Sequence, residues 1–426
     1  MSTSVVPIDR RPAIDVVRVG ALAVVVVGHL LMAVIDRGPD GAVRGVNLFA
    51  LAPEWRSLTL LSPMPLFFAA AGWANTAASP PAAARRLRPL VGLAAVVVSL
   101  WYLPAVIELV VRGERGVLGD GARLATQPVW FLAAYLPFAA AGTWMAQMAR
   151  RPGRSIGTCL GLLAVADAAR FAWGANEIVG WFGFLPAWAV PWLLGAWWRQ
   201  AVTGRGDGRR VEVSRGAAIA VLGVLLGAAL VARARYSPTL VDVVAGDRSN
   251  TTPPTLFTAI AAATQVGVLM LAAAALDRFG ARRRWLVERA AEVAVPVYLW
   301  HLTALALCGG MVALGLPVPE RLTLGWWLTR PLWWAAVLAA TAGLVVLTAR
   351  GRSLLRRQAP STAGSSSIDS RAASRATAGA GTTIVWTGVA LAAAGAAMVG
   401  IRGPASVAIA VTTVAALVIG WRLLRA

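Results

Sequence analysis

The chain has 426 residues, of which 58% are hydrophobic and only 14% are charged, and its formal net charge is +21 at pH 7. Soluble domains carry about 25% charged residues, so this composition excludes an ordinary soluble domain and an intrinsically disordered chain. All 40 basic side chains of the Lys and Arg type are arginines, and the chain contains no lysine. The arginines cluster in loops between apolar runs, and the positive-inside rule explains this distribution better than binding to nucleic acid does.

Several apolar runs exceed 18 residues, the length that is read as membrane-spanning. Only helices or closed barrels satisfy their backbone hydrogen bonds in lipid, and the runs lack the alternation that is typical of barrel strands. The sequence therefore predicts an all-α fold, a polytopic transmembrane helix bundle. Twelve spans are predicted, near residues 13–35, 57–77, 90–111, 128–148, 156–173, 178–198, 216–234, 254–276, 292–314, 326–348, 383–401 and 404–421.

The loop after every second predicted span is rich in arginine, as in 85–88, 150–154 and 278–289, whereas the other loops mix both signs. This alternation predicts that both termini are cytoplasmic. Arginine without lysine, together with abundant Ala, Gly and Val, indicates a GC-rich bacterial genome. We therefore expect a multi-pass protein of a bacterial plasma membrane.

The first span carries Arg18 and, eleven residues later, His29. Eleven residues make about three helical turns, so both side chains leave the same face, separated by roughly 16 Å along the axis. The hydrocarbon core is about 30 Å thick. Arg18 is therefore expected near the inner boundary and His29 near the middle of the membrane.

The second of the chain's two histidines, His301, lies in the ninth span, some ten residues past its cytoplasmic boundary and so at a depth similar to that of His29. Ionisable groups at such depth are costly and usually face an interior cavity. A lone histidine often serves only as an interhelical hydrogen bond, but two at matched depth favour proton transfer. The pair indicates either a general base in catalysis or a proton relay.

The last part of the chain departs from the ten-span pattern. Residues 351–382 are rich in Ser, Ala, Gly and Arg, which is typical of a flexible linker, here a cytoplasmic one. The two final spans form a helical hairpin over residues 383–426. We predict a ten-helix membrane domain over residues 1–350, followed by this linker and the hairpin.

Several segments, taken in order, resemble the signatures of the acyltransferase-3 family of membrane acyltransferases. Arg-x10-His in the first span is followed by "PMPLFFAAAGWAN", and Arg85-Arg86-Leu-Arg88 resembles the family's Arg-x-x-Arg signature. "VWFLAAY", which contains Trp130, and "PVYLWH", which ends at His301, resemble two later segments. Ala71 departs from the family's second-span signature, in which serine usually precedes the glycine that is Gly72 here.

The resemblance implies acyl transfer from cytoplasmic acyl-CoA, for which we expect acetyl-CoA, to a hydroxyl group of an extracytoplasmic glycan, glycolipid or similar acceptor. With this donor, His29 would act as general base on the acceptor hydroxyl, and a transient acyl-histidine is the alternative route. Arg18, Arg85 and Arg88 would hold the CoA phosphates, although ordinary positive-inside anchoring also explains the last two. His301 with Tyr298 would orient His29 or donate to the thioester oxyanion.

Two further substrate contacts are expected. The first is Trp130, in the segment that resembles the family. The second is Asn250, in the outer loop "DRSNTTPPTLF", which is rich in hydrogen-bonding groups. The alternative for this loop is an ordinary capped helix entry, with Thr252 before two prolines.

The sequence contains no Cys/His metal cluster, Walker loop or dinucleotide fingerprint. We therefore expect no metal and no permanently bound cofactor, with acyl-CoA as a co-substrate and the acceptor and membrane lipid as further partners. A homo-oligomer stays open. Two other functions also stay open: a proton-coupled transporter or lipid flippase that uses the two histidines as a relay, and a non-catalytic membrane scaffold.

Overall fold

The computed structural model describes residues 11–37, 43–75, 80–203, 208–234, 236–240, 249–358 and 374–425. These residues are almost entirely helical, as the sequence predicts. The helices are α1 (Pro12–Met32), α2 (Leu48–Leu51), α3 (Met64–Ala74), α4 (Pro80–Arg112), α5 (Val117–Thr126), α6 (Leu132–Ala140), α7 (Gly142–Met148), α8 (Pro152–Phe171), α9 (Phe184–Val202), α10 (Gly208–Ala234), α11 (Leu256–Arg282), α12 (Arg284–Ala313), α13 (Leu324–Gln358), α14 (Ser374–Ile401) and α15 (Val407–Leu423).

The remaining regular structure consists of short elements that the sequence did not predict. Three 3₁₀ helices cover Pro53–Leu61, Gln127–Phe131 and Glu177–Gly183. Strands β1 (Ala33–Arg37) and β2 (Val43–Asn47) form a two-stranded sheet after α1. These pieces lie at the ends of the long helices, where hydropathy carries little information about the backbone.

Within the described ranges, nine segments are long and apolar enough to cross a membrane, and Val117–Ala140 with Gly142–Met148 adds a tenth if the pair is one span. Each of the twelve predicted spans lies on a helical segment. The two outside this set of ten are α8, which carries charged residues, and the shorter α15. The polytopic all-α bundle is thus confirmed.

The chain divides into two compact units. The first comprises Met1–Met32, Asn47–Ala78 and Ala141–Ala294. In it, α1 packs on α3 and α11, α3 packs on α9, and α10 packs on α11. Helices α3 and α9 approach very closely, because a Cβ added to Gly72 would lie 2.1 Å from the backbone oxygen of Trp192. A Cβ on Gly195 would likewise lie 1.9 Å from the oxygen of Ala69.

The second unit comprises Ala33–Val46, Ser79–Ala140 and Val295–Ala426. Here α4 packs on α5 and α15, while α14 packs on α15, α6 and the 3₁₀ helix Gln127–Phe131. The predicted linker is helical at both ends, since α13 continues to Gln358 and α14 begins at Ser374. Its middle, 359–373, lies outside the described residues.

Candidate functional site

Helix α1 positions the two residues on which the sequence hypothesis depends. It begins at Pro12, where the fixed φ of proline suits the first turn and its missing N–H costs nothing. It then runs without a break to Met32, past Arg18 and His29. The two side chains therefore leave the helix about three turns apart, within roughly 20° of one another around its axis.

Both residues project from the packed side of α1. Leu22 and Val25, which are buried, point in nearly the same direction, whereas the exposed Val27 lies on the opposite side. Arg18 is nevertheless exposed, and His29 is partly buried and has interaction partners. An ionisable side chain at membrane depth usually faces the interior of the bundle, and the packed side of α1 is consistent with that for His29.

His301 lies in α12 and is 1% exposed. Its Nδ1 is 2.6 Å from the backbone oxygen of Tyr298. Because a carbonyl oxygen can only accept, Nδ1 carries the hydrogen and donates it. In the neutral ring, Nε2 is then the nitrogen with the available lone pair, which is the form of a proton acceptor.

Tyr298, predicted to contact substrate, is buried in the second unit. Its hydroxyl donates to the backbone oxygen of Pro128 at 3.1 Å, and its ring meets Phe131 edge to face at 5.1 Å. Through these two contacts, α12 packs against the 3₁₀ helix Gln127–Phe131. Trp130, on the same 3₁₀ helix, is partly buried, and its Cβ is so close to α14 that a Cβ on Gly400 would lie 2.9 Å away.

The predicted phosphate-binding arginines lie in the first turns of α4. Arg85 is exposed, whereas Arg88 is partly buried and its Nε has no hydrogen-bond partner among the described residues. The Arg88 guanidinium lies 5.5 Å from the ring centre of Trp421 in α15. The terminal hairpin therefore reaches the arginine signature, a contact that hydropathy alone does not predict.

Asn250 is 2% exposed, and its side chain forms hydrogen bonds with neighbouring loop residues. The amide nitrogen donates to the backbone oxygens of Ser237 and Thr239, both at 2.7 Å, and the amide oxygen accepts from the Thr255 hydroxyl at 2.8 Å. These bonds favour the alternative of an ordinary helix entry. Asn250 therefore holds the start of α11, and its contact with a substrate stays a prediction.

Sequence reasoning missed a charged cluster around Arg11. The Arg11 guanidinium bonds Asp277 at 2.8 Å and Glu212, and it lies over the rings of Trp73 and Trp198. Burial lowers the pKa of Arg11, but the bonds to the two carboxylates outweigh it, and the pKa is raised above its ordinary value. The sequence signal that could have indicated this cluster is the presence of acidic residues, Glu212 and Asp277, beside or within arginine-rich loops.

The Arg11 cluster gathers five helix ends at one side of the first unit. Trp198 Nε1 donates to Glu212 at 3.0 Å, and the backbone N–H of Ala13 donates to Asp277 at 2.9 Å. The start of α1, the ends of α3, α9 and α11, and the start of α10 therefore share one side. These are the ends to which the loop charges assign a cytoplasmic location.

Each predicted site residue thus belongs to one of the two units. Arg18, His29 and Asn250 lie in the first, and a second set lies in the other: Arg85, Arg88, Trp130, Tyr298 and His301. The expectation that the two histidines serve one cavity stays a prediction.

Comparison with known proteins identifies the domain that contains these residues. A family model described as an acyltransferase domain, that of the acyltransferase-3 family, matches residues 11–350. No curated protein and no solved structure matches the chain significantly. The match covers most of the chain and every residue of the hypothesis, and it stops before the terminal hairpin. The chain belongs to the acyltransferase-3 family and is a multi-pass membrane acyltransferase.

Proposed function

We propose that this protein transfers an acyl group, acetyl in the simplest case, from cytoplasmic acyl-CoA to a hydroxyl group of an extracytoplasmic glycan, glycolipid or similar acceptor. The observation that carries the proposal is the unbroken α1. It presents Arg18 and His29 on one packed side, about three turns apart. That spacing suits a long donor whose charged end stays at the membrane surface while its thioester reaches the interior.

The charged end of the donor is bound by arginines. CoA carries several phosphates, and guanidinium groups pair with phosphate through two parallel hydrogen bonds. Arg18 and Arg85 are exposed at helix ends, and Arg88 adds a third guanidinium. The arginine-rich loops support a cytoplasmic location for these ends, with both termini on the cytoplasmic side of a bacterial plasma membrane.

His29 performs the proton transfer. The acceptor hydroxyl gives its proton to the imidazole as its oxygen attacks the thioester carbonyl, forming the new C–O bond. The C–S bond then breaks, and the departing CoA sulfur takes the proton from the imidazolium. The products are the ester and free CoA, with the neutral imidazole restored.

His301 acts as an acceptor rather than as an oxyanion donor. Its Nδ1 hydrogen is already given to the Tyr298 carbonyl, and the Tyr298 hydroxyl gives its own to Pro128. Neither group has a hydrogen left to donate to an oxyanion unless the ring is protonated. This supports a role for His301 as a hydrogen-bond acceptor.

The test uses sealed membrane vesicles and acetyl-CoA labelled in the acetyl group. Acetyl-CoA is charged and does not cross the bilayer, so inside-out vesicles expose the proposed donor side and right-side-out vesicles hide it. We expect label to become covalently attached to envelope lipid or glycan in inside-out vesicles only. Vesicles without this protein serve as the control.

The same vesicles separate the enzyme from the transporter. Flux of substrate driven by a pH gradient, with no covalent product under any orientation, would replace this proposal with the proton-relay alternative. Labelling only in right-side-out vesicles would reverse the proposed orientation.

A further inference from the structure

The terminal hairpin is built into the second unit rather than tethered to it. It lies outside the matched acyltransferase domain, which ends at residue 350. Yet α15 packs along α4, and α14 packs along α6 and the 3₁₀ helix Gln127–Phe131. The contact with α4 is close, because a Cβ on Gly92 would lie 2.7 Å from the indole nitrogen of Trp421.

This contact brings together two arginines and one indole. The Arg88 guanidinium lies 5.5 Å from the ring centre of Trp421, and the Arg425 guanidinium lies 4.3 Å from the same ring. Cations are attracted to the face of an indole. Trp421 therefore orients one guanidinium from the domain and one from the hairpin.

The cluster of Arg88, Trp421 and Arg425 carries two positive charges. Among the described residues neither Arg88 nor Arg425 forms an ion pair, and the buried Nε of Arg88 has no hydrogen-bond partner. Two like charges beside one ring repel each other, and a bound anion would reduce that cost. Phosphate is an anion that guanidinium groups bind specifically.

We propose that the hairpin completes a binding site for the phosphates of acyl-CoA, with Arg425 and Trp421 acting beside Arg88. The inference rests on the proposed function, because it needs a CoA thioester as donor. Arg425 binds phosphate directly through its exposed guanidinium, and Trp421 positions both arginines. The hairpin then contributes to binding of the acyl donor, although it lies outside the part of the chain that the family model matches.

The experiment measures binding of acetyl-CoA to the full-length chain in nanodiscs of zwitterionic lipid. Arg425→Gln is compared with Arg422→Gln, which removes the same charge from an exposed position one turn earlier in the same helix end. We expect Arg425→Gln to weaken binding about tenfold or more and Arg422→Gln to change it less than about twofold. Trp421→Leu should resemble Arg425→Gln, and Trp421→Phe should retain more affinity.

Two further arms identify the phosphate. Dephospho-acetyl-CoA, which lacks the 3′-phosphate, should bind more weakly to the wild type, and this difference should shrink in Arg425→Gln. Equal binding by Arg425→Gln and Arg422→Gln would overturn the inference. So would an Arg425→Gln variant that binds acetyl-CoA normally but, in a second set of nanodiscs that contain anionic lipid, retains less of that lipid than the wild type, because the site would then belong to a headgroup.

Failure of this inference and failure of the proposed function look different. Wild-type protein that binds acetyl-CoA with an affinity independent of Arg425 and Trp421 removes the hairpin site alone. Wild-type protein that binds no acetyl-CoA removes both.

Discussion

The Tyr298 hydroxyl, which the sequence analysis expects at the substrate, donates a hydrogen bond to the backbone oxygen of Pro128 within the second unit. Tyr298→Phe removes that bond but keeps the ring against Phe131. We expect the free energy of unfolding to fall by about 1 kcal/mol, the usual contribution of one buried hydrogen bond, with acyl transfer per folded molecule nearly unchanged.

Thermal unfolding in detergent, alongside transfer activity, checks this expectation, and Tyr298→Ala provides the comparison that loses ring and hydroxyl together. A large loss of activity in Tyr298→Phe at unchanged stability would place the hydroxyl on the substrate after all.

The sequence was sufficient to select candidate site residues, but it did not predict their hydrogen-bond partners. His301 was selected because intramembrane histidines are costly, and that argument holds whatever the fold. The tautomer of His301 depends on a carbonyl three residues earlier, and the structural role of Asn250 depends on Ser237 and Thr239. Such hydrogen bonds follow from backbone geometry, which hydropathy and spacing do not encode.

At the scale of helices, Gly72 explains the glycine of the "PMPLFFAAAGWAN" segment as a packing requirement. A Cβ there would overlap the backbone of Trp192, and backbone cannot rotate away as a side chain can. Gly72→Ala should therefore separate α3 from α9 and cost about 2–3 kcal/mol of stability.

Gly20→Ala is the matched control, since a Cβ at Gly20 in α1 meets nothing within 4 Å. It should leave the thermal midpoint unchanged or raise it slightly, because alanine favours the helix. If the two variants unfold at the same temperature, the close approach of α3 and α9 is not the reason for this glycine.

The Arg11 cluster makes the ends of five helices depend on one side chain. Arg11→Gln would leave Glu212 and Asp277 without their cation, and we expect a loss of about 2–3 kcal/mol, below the value for fully buried pairs because Asp277 is partly exposed. The comparison is Arg284→Gln, which breaks an exposed pair with Glu288 and should cost less than about 1 kcal/mol.

Chemical unfolding of both variants checks the difference. Similar midpoints for Arg11→Gln and Arg284→Gln would show that the cluster contributes no more than a surface ion pair.

For the molecule as a whole, hydropathy was sufficient for the helices and insufficient for their assembly. Every predicted span lies on a helix, because lipid leaves the backbone few alternatives. The division into two units and the packing of α14 and α15 on the second unit were not predictable. Contacts between apolar helices depend on shape and small residues, and not on the apolar character that all the spans share.

The central claim is that His29, on the packed side of α1, accepts the proton in acyl transfer. The most direct measurement is transfer of labelled acetyl groups from acetyl-CoA to envelope acceptors, in membranes that contain equal amounts of wild type, His29→Ala or Val27→Ala. Val27 is exposed on the opposite side of the same helix and controls for mutation of α1 itself. We expect at least about a hundredfold loss for His29→Ala and near-wild-type transfer for Val27→Ala. A His29→Ala variant that transfers acetyl groups at close to the wild-type rate would show that His29 is not the proton acceptor.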